Sequence, residues 1–517
     1  MIKIQREGAV KLSTSKEGKN NNKTVEHEEK MEEMKLTGSN IKKVLSGSND
    51  IEFRDLYINS SENLPVTFVC IDGLVDAKAV NDDILKPLTQ ERVFREAKNL
   101  KEAISLIEKG VVYHFRLKTR HKVSECIHDI LDGSVALIFD GEETALTFDI
   151  KGLEKRNIEE PANENVLKGA KDSFIEILRV NTSLVRRKIR NKNLKIIELR
   201  VGKQTQTALA VVYIAGITNK RLLDELLKRL HSIEIDGAIN TGNIEEYIVD
   251  RKFSIFPQIM YTERTDKFCQ NILDGRVGLL IDGLPAAYII PAVINMFFQA
   301  PEDYAQNYFV SSVIRFIRYM SALVTLMLPG FYISITTFHP EMIPTDLAVS
   351  IIQSKEGVPF PTFVEVIFML IAFELLLEAG LRLPKSVGQA VSIVGALVVG
   401  EAAVTAKLVS PAVVIVIAVT GIAGFVIPNQ DLSNSLRLCR FLLVSGSIIA
   451  GLFGLTIGVI LLFYSMAQME TFGVPYLSPY VANEGRELTQ DTVIRLPLFM
   501  MKKRPTSLRT TNHKRQK

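Results

Sequence analysis

Glu365, Glu374, Glu378, Glu401 and Lys407 lie inside, or at the edge of, stretches that are otherwise apolar. An ionisable group in such a stretch is costly unless a partner, a water path or a bundle interior receives it, so each is a candidate functional position. Glu374, Glu378 and Arg382 recur every four residues, which places them on one helical face and predicts a local ion-pair ladder with an anchoring role. Glu365, nine residues before Glu374, falls on the opposite face of an ideal helix, just after Pro359 and Pro361. Repeated around a symmetric assembly, a carboxylate there forms a ring that attracts cations, and Val364 or Phe368 can serve as an apolar constriction. Burial against a partner is the other use of such a carboxylate.

These residues need elements to position them. A membrane span takes about 20 mostly apolar residues. Residues 319–338, 360–381, 387–405, 408–427 and 441–464 meet that requirement in succession, the first with Pro329-Gly330 as an expected kink. Five in a row predict an integral membrane protein. Segment 285–300 (PAAYIIPAVINMFFQA) is apolar but short and holds two prolines, so a re-entrant, interfacial or crossing role stays open. Its fate, or a break in some other span, decides the topology. With the first half cytoplasmic, loop 339–359 falls outside with one Lys among three acids, and Arg382, Lys385, Arg437 and Arg440 fall inside, as the positive-inside rule requires. Five spans would nevertheless leave the basic C-terminus outside, against the same rule. A cytoplasmic tail needs one more crossing. Gly446, Gly451 and Gly454 allow close backbone approach of helices, within or between subunits.

The first half is written differently. ILDGSVALIFDG, residues 130–141, returns 142 positions later as ILDGRVGLLIDG with eight of its twelve residues identical. PVTFVCIDGL around Gly73 is likewise echoed by LAVVYIAGIT around Gly216, 143 positions on. Two echoes at one offset indicate a duplicated unit. In each copy the first echo reads as a buried strand feeding a helix, and the second as a helix stopped at Gly133 or Gly275, a short strand, then an Asp-Gly turn. Asp140-Gly141 and Asp282-Gly283 suit tight turns, where both residue types tolerate positive φ. No phosphate-cradling loop accompanies them, which leaves turn chemistry ahead of a metal or phosphate role.

The fold class expected is therefore multidomain α/β plus a polytopic α-helical membrane protein: duplicated soluble α/β subdomains followed by a five- or six-helix transmembrane domain. The boundaries are a disordered polar tail over 1–48, subdomains over 49–160 and 161–284, a transmembrane domain over 285–470 and a basic tail over 471–517. That tail suits anionic headgroups or simple solvation. Cys70, Cys126, Cys269 and Cys439 have no paired spacing and read as isolated reduced thiols. No enzyme signature appears, no residue set calls for a cofactor or metal, and a net charge of +4 gives no case for nucleic acid. A secondary transporter would carry inverted repeats within the spans, and none is found.

The motifs PQIMYTERTDKFCQNILDGRVGLLIDG, TTFHPEMIPTDLAVSI, EGVPFPTFVEV, EAGLRLPKSVGQAVSIVGALVVG, LVSP and FGVPYLSP occur in this order. Together they resemble the A subunit of the GerA-family spore germinant receptors over residues 50–504. The pattern departs from the family at EAAVTAKLVSP, where Glu401 and Lys407 stand. The resemblance implies a spore inner-membrane protein with a cytoplasmic N-terminal region of two similar subdomains. It implies a transporter-like B subunit that binds the nutrient germinant and a lipoprotein C subunit as partners. It further implies a homo-oligomer, pentameric in the family's description, acting as a ligand-gated cation channel with this subunit as the pore. A non-conducting signalling scaffold is the alternative.

Overall fold

The computed structural model describes residues 34–516 apart from 61–63, 96, 98, 113–115, 153–160, 162, 163, 165, 167, 241, 383–399 and 482–490. Lobe 1 comprises α1 (Gly38–Leu45), β1 (Ile51–Tyr57), β2 (Pro65–Ile71), β3 (Leu117–Arg120), α2 (Val123–Leu131), β4 (Val135–Phe139) and β5 (Thr144–Phe148). Lobe 2 comprises α3 (Leu178–Lys188), β6 (Leu194–Val201), β7 (Thr207–Ile214), α4 (Lys220–His231), β8 (Met260–Thr262), α5 (Thr265–Leu273), β9 (Val277–Ile281) and β10 (Ala287–Ile290). Their antiparallel sheets have one topology, β1-β2-β4-β5-β3 and β6-β7-β9-β10-β8.

Strand β4 explains why the echoed segment is so apolar. Its alternate residues Val135, Leu137 and Phe139 enter one core with Val80, Ile84 and Phe94, while Ala136 and Ile138 enter another beneath α1 and α2. Both faces are covered, so the strand reads as a continuous apolar run. Strand β9 repeats the division. The echo's mismatches compensate: Ala136 lies in one core with Cys126, and 142 residues later Gly278 faces Phe268, whose ring would lie 2.1 Å from any added Cβ. A smaller strand residue accommodates a larger helix residue.

The repeated aspartates act outside their own turns. Asp140 Oδ1 accepts from the Gly38 amide at 2.6 Å and Asp282 Oδ1 from the Leu178 amide at 3.0 Å, so each satisfies the first turn of the equivalent helix, α1 or α3. Gly283 takes positive φ as expected, whereas in copy 1 that role passes from Gly141 to Glu143, at φ 48°. The repeat unit therefore begins before residue 49. Residues 34–48, expected in the polar tail, instead carry α1 and bury Leu36, Ile41 and Leu45. An apolar stripe of three residues among charges was too short to stand out.

Segment 285–300 does not enter the helical half. Residues 287–290 form β10 between β9 and β8, and Val293, Met296 and Phe297 fill the core below it. Its apolarity is that of a strand covered on both faces.

The helical half contains α6 (Tyr308–Thr337), α7 (Thr345–Ser354), α8 (Thr362–Arg382), α9 (Pro411–Phe425) and α10 (Gln430–Ala467). Of the expected 387–405 span, residues 387–399 lie outside the described residues and 400–405 are helical. Helix α6 runs on through Pro329. Among the described residues, α6 and α10 are long and apolar enough to cross a membrane. Helix α10 is not straight, however: Ala450 and Gly451 leave helical geometry, Gly451 at φ 56° and ψ −137°. Its arms, 430–449 and 452–467, fold back on each other. Backbone at Gly446 meets backbone at Gly454, so that an added Cβ on Gly446 would lie 2.9 Å from the Gly454 carbonyl oxygen, and one on Gly458 would lie 2.5 Å from Leu443. At 1.5 Å per residue the arms measure roughly 30 and 24 Å. Both ends reach one loop of lobe 2: Ser435 Oγ donates to the Ile255 carbonyl at 2.7 Å, and Arg251 donates to the Gln468 carbonyl at 3.0 Å. The stretch 441–464, expected as one span, is thus the middle of a helical hairpin.

The C-terminal segment is docked rather than loose. After β11 (Glu470–Thr471) and β12 (Val474–Pro475), the Tyr476 carbonyl accepts from Ile294 N at 2.9 Å, Arg504 Nε donates to the Leu273 carbonyl at 2.8 Å and Thr511 N donates to the Ile217 carbonyl at 3.0 Å. The segment expected as a basic tail spends several of its donors on lobe 2.

Asp282→Ala should lower the stability of the full chain by about 1 kcal/mol, and Asp282→Asn by much less because its amide oxygen still accepts. Thermal unfolding of the detergent-solubilised variants checks this; equal losses in both would show that charge, not the cap, is what α3 needs.

Candidate functional site: the junction and its buried ion pairs

The junction between lobe 2 and the helices is closed by charge. Asp303 is 2% exposed and Arg315 fully buried, with Arg315 Nε donating to Asp303 Oδ2 at 2.7 Å. Arg318 Nη1 donates to both carboxylate oxygens at 2.8 and 2.9 Å, and Arg495 Nη1 donates to the Asp303 carbonyl at 2.6 Å. Asp491 then accepts from Arg315 Nη1 and from the Tyr304 hydroxyl, both at 2.7 Å. Residues before α6, within α6 and near the C-terminus therefore share one buried network. Buried charges are tolerated when paired and hydrogen-bonded in this way. The sequence displayed Asp303, Arg315 and Arg318 beside one another, but nothing in it connects them to Asp491 and Arg495, nearly two hundred residues on.

Beside this clamp is a cleft of about 290 Å³ lined by lobe 2, the approach to α6 and the C-terminal segment. Asp274 and Arg276, from the second echo, line it with Arg504 and Arg515. Burial raises the Asp274 carboxyl and lowers the Arg276 guanidinium from their ordinary ranges, because a charged form loses hydration there. Arg515 Nη2 lies 3.6 Å from Asp274 Oδ1.

The charges picked out in the apolar stretches separate into two kinds. Glu365 is 1% exposed; its Oε2 accepts from the Ser410 amide at 2.7 Å and its Oε1 lies 3.3 Å from Lys355 Nζ. Ser410 is the N-cap of α9, so this carboxylate stabilises a helix N-terminus. Glu374 leaves the expected ladder and binds Arg437 and Arg440 of α10, the latter at 2.5 Å. Only Glu378 and Arg382 pair along the helix, at 2.7 Å, in an exposed position. The opposed faces of Glu365 and Glu374 are thus both met by protein, α9 on one side and α10 on the other. Val364 is half-buried next to Glu365, and Phe368 is exposed one turn on. Glu401 and Lys407 are exposed, Lys407 at φ 55° in the turn before α9. All four cysteines are free and buried.

This build joins a folded α/β platform to two helices that are, among the described residues, long and apolar enough to cross a bilayer. The family model of the Bacillus/Clostridium GerA spore germination protein matches residues 39–507, and the chain belongs to that family. It is 37% identical over 475 residues to spore germination protein KA of Bacillus subtilis, covering 92% of this chain and 86% of that one. It is 35% identical over 475 residues to spore germination protein GerLA of Bacillus cereus, covering 91% and 94%. The crystal structure of the N-terminal domain of the A subunit of the Bacillus megaterium spore germinant receptor GerK3 aligns with a TM-score of 0.40 and 28% identity, covering 50% of this chain and 93% of that one.

Asp303→Asn leaves two guanidinium groups facing a neutral amide and should cost about 3 kcal/mol or more. Limited trypsin digestion reads the local effect: cleavage after Arg495 should accelerate relative to cleavage after exposed basic residues of lobe 1. An unchanged ratio would show that other contacts hold the C-terminal segment.

Proposed function

We propose that this chain is the A-type subunit of a nutrient germinant receptor in the spore inner membrane, that it crosses the bilayer six times, and that copies of it line a cation pathway. The observation that carries this reading is the return of both arms of α10 to the loop at residues 251–256. Helix α6 leaves the junction and ends at Thr337, and the next residue, Phe338, lies against Gly451 at the far tip of the hairpin. Helix α8 returns from the level of Glu365 to that of Arg382, the chain must regain the far side before Lys407, and α9 comes back toward Ser433. Two arms of α10 complete an even number of crossings. The conflict over charge then disappears, because the C-terminal basic residues and Arg382, Arg437 and Arg440 share the lobe side, and the acidic loop 339–359 takes the other.

In this reading Val364 and Phe368 of α8 narrow the pathway, with Phe368, Ile371 and Leu375 forming an exposed apolar edge for a neighbouring copy. Glu365 contributes by fixing α8 to α9, and an attracting ring requires it to leave Ser410 and Lys355. A B subunit that binds germinant and a lipoprotein C subunit complete the receptor. The inward turn of Glu365 favours the second reading, a non-conducting scaffold that passes a signal from such partners through lobe 2.

With six crossings, an impermeant maleimide added on the side away from the lobes should label Ala450→Cys and Lys355→Cys, and should reach Lys503→Cys only after permeabilisation. Protection of Ala450→Cys would restore a single 441–464 span. Germinant-triggered potassium release from liposomes holding this subunit with its B and C partners should change several-fold in Val364→Ala and Phe368→Ala. Unaltered release in both, with germinant still bound, would leave the scaffold.

A further inference from the structure

We infer that the loop Arg251-Lys252-Phe253-Ser254-Ile255-Phe256 is a lipid-binding anchor that inserts Phe253 into the headgroup and upper acyl region of the bilayer, holding lobe 2 against the membrane. The inference rests on the membrane reading above, and its test separates the two.

Phe253 is fully exposed, at 102%, while Phe256, three residues on, is buried against Tyr476 with ring centroids 6.3 Å apart. The exposure is not that of a loose loop. Gln258 pins it from within, its Oε1 accepting from Arg251 N at 3.0 Å and its Nε2 donating to the Arg251 carbonyl at 2.6 Å. A turn closes over it from Ser254 N to the Arg251 carbonyl at 3.2 Å. A rigid loop that presents a whole phenyl ring to its surroundings sacrifices apolar burial unless something apolar receives it.

The loop's position identifies the receiver. Ser435 and Gln468, on the two arms of α10, both bond to it, which fixes its depth. From the tip at Gly451 down to these residues is roughly 24 Å along either arm at 1.5 Å per residue. A hydrocarbon core is about 30 Å thick. If the tip reaches one face of the bilayer, the loop lies at the opposite boundary, where aromatic side chains concentrate. Its other exposed residues match that setting. Ile255 is 41% and Tyr247 43% exposed, Lys252 lies 5.7 Å from the Tyr247 ring, and Arg251 brings a second cation. Basic residues flanking an apolar wedge are the chemistry of attachment to an anionic leaflet.

The chain contains no tryptophan, so Phe253→Trp creates a single reporter. The purified full chain is reconstituted in phosphatidylcholine vesicles with and without phosphatidylglycerol, containing lipids brominated near the headgroup or near the chain terminus. Leu461→Trp, on an exposed face of the second arm, serves in a separate preparation as the depth control. The expected result for the Phe253→Trp protein is about twofold or stronger quenching by the shallow bromines, weaker quenching by the deep ones, and an increase with phosphatidylglycerol that Lys252→Gln diminishes. Quenching in the Leu461→Trp protein but not in the Phe253→Trp protein would overturn the anchor and leave the membrane reading standing. Quenching in neither would overturn both. Shielding of the indole in the Phe253→Trp protein from bromines and from an aqueous quencher alike would mean that protein covers the loop, and that too would overturn the anchor.

Discussion

The architecture depends on the buried carboxylate of Asp303. Alone, that charge could not remain in the interior. It persists because Arg315 and Arg318 of α6 converge on it from one side while Arg495 binds its own carbonyl from the other. The approach to the first long helix and the C-terminal segment are thereby tied at one point. The clamp adjoins a single apolar cluster that runs from Val185 and Phe268 of lobe 2 through Val293, Phe297 and Tyr476 to Leu432, Leu436 and Leu443 of α10. Lobe 2 and the base of the helices thus pack as one body, so a displacement of the lobe reaches α6 through charge and α10 through packing.

The duplication was legible because it is written in residues whose local roles are fixed. A left-handed helix stop favours Gly, an inward strand needs apolar residues, and an oxygen aimed at a helix N-terminus comes from a short side chain such as Asp. What the aspartates contact was not legible, because Gly38 and Leu178 lie more than a hundred residues away. Segment 285–300 misled for a related reason: composition reports burial and does not say whether lipid or a pair of cores supplies it. The hairpin in α10 was hidden by the same ambiguity. Gly446, Gly451 and Gly454 look alike in a hydropathy profile whether they pack two helices or let one chain reverse, and only the φ of Gly451 decides.

The charges within the apolar stretches show how far spacing alone can go. The nine-residue separation of Glu365 and Glu374 did place them on opposite faces of α8. Their partners came from elsewhere, the Ser410 amide at the start of α9 and the guanidinium groups of Arg437 and Arg440. No periodicity within α8 can specify those contacts. The ladder failed at Glu374 because its neighbour one turn on is Glu378, a like charge already paired with Arg382, whereas Arg437 and Arg440 across the helix interface supply the opposite charge.

The two lobes have also divided their work, and the division follows from one face of the sheet. In lobe 1 the face beneath α1 and α2 closes on itself, with Leu36, Ile41, Cys126 and Ile130 completing the core. In lobe 2 the equivalent face beneath α3 and α5 remains open at one end, and the helical half fills it through Val293, Phe297 and Leu436. The first copy is then held to the second by polar contacts, among them the pair between Asp50 and Arg186, both 1% exposed and joined at 2.7 Å. Such a pair is directional and depends on its geometry, whereas the apolar seam beneath lobe 2 is not. Separating lobe 1 from lobe 2 would therefore break directional bonds such as this pair, whereas separating lobe 2 from the helices would expose a continuous apolar seam.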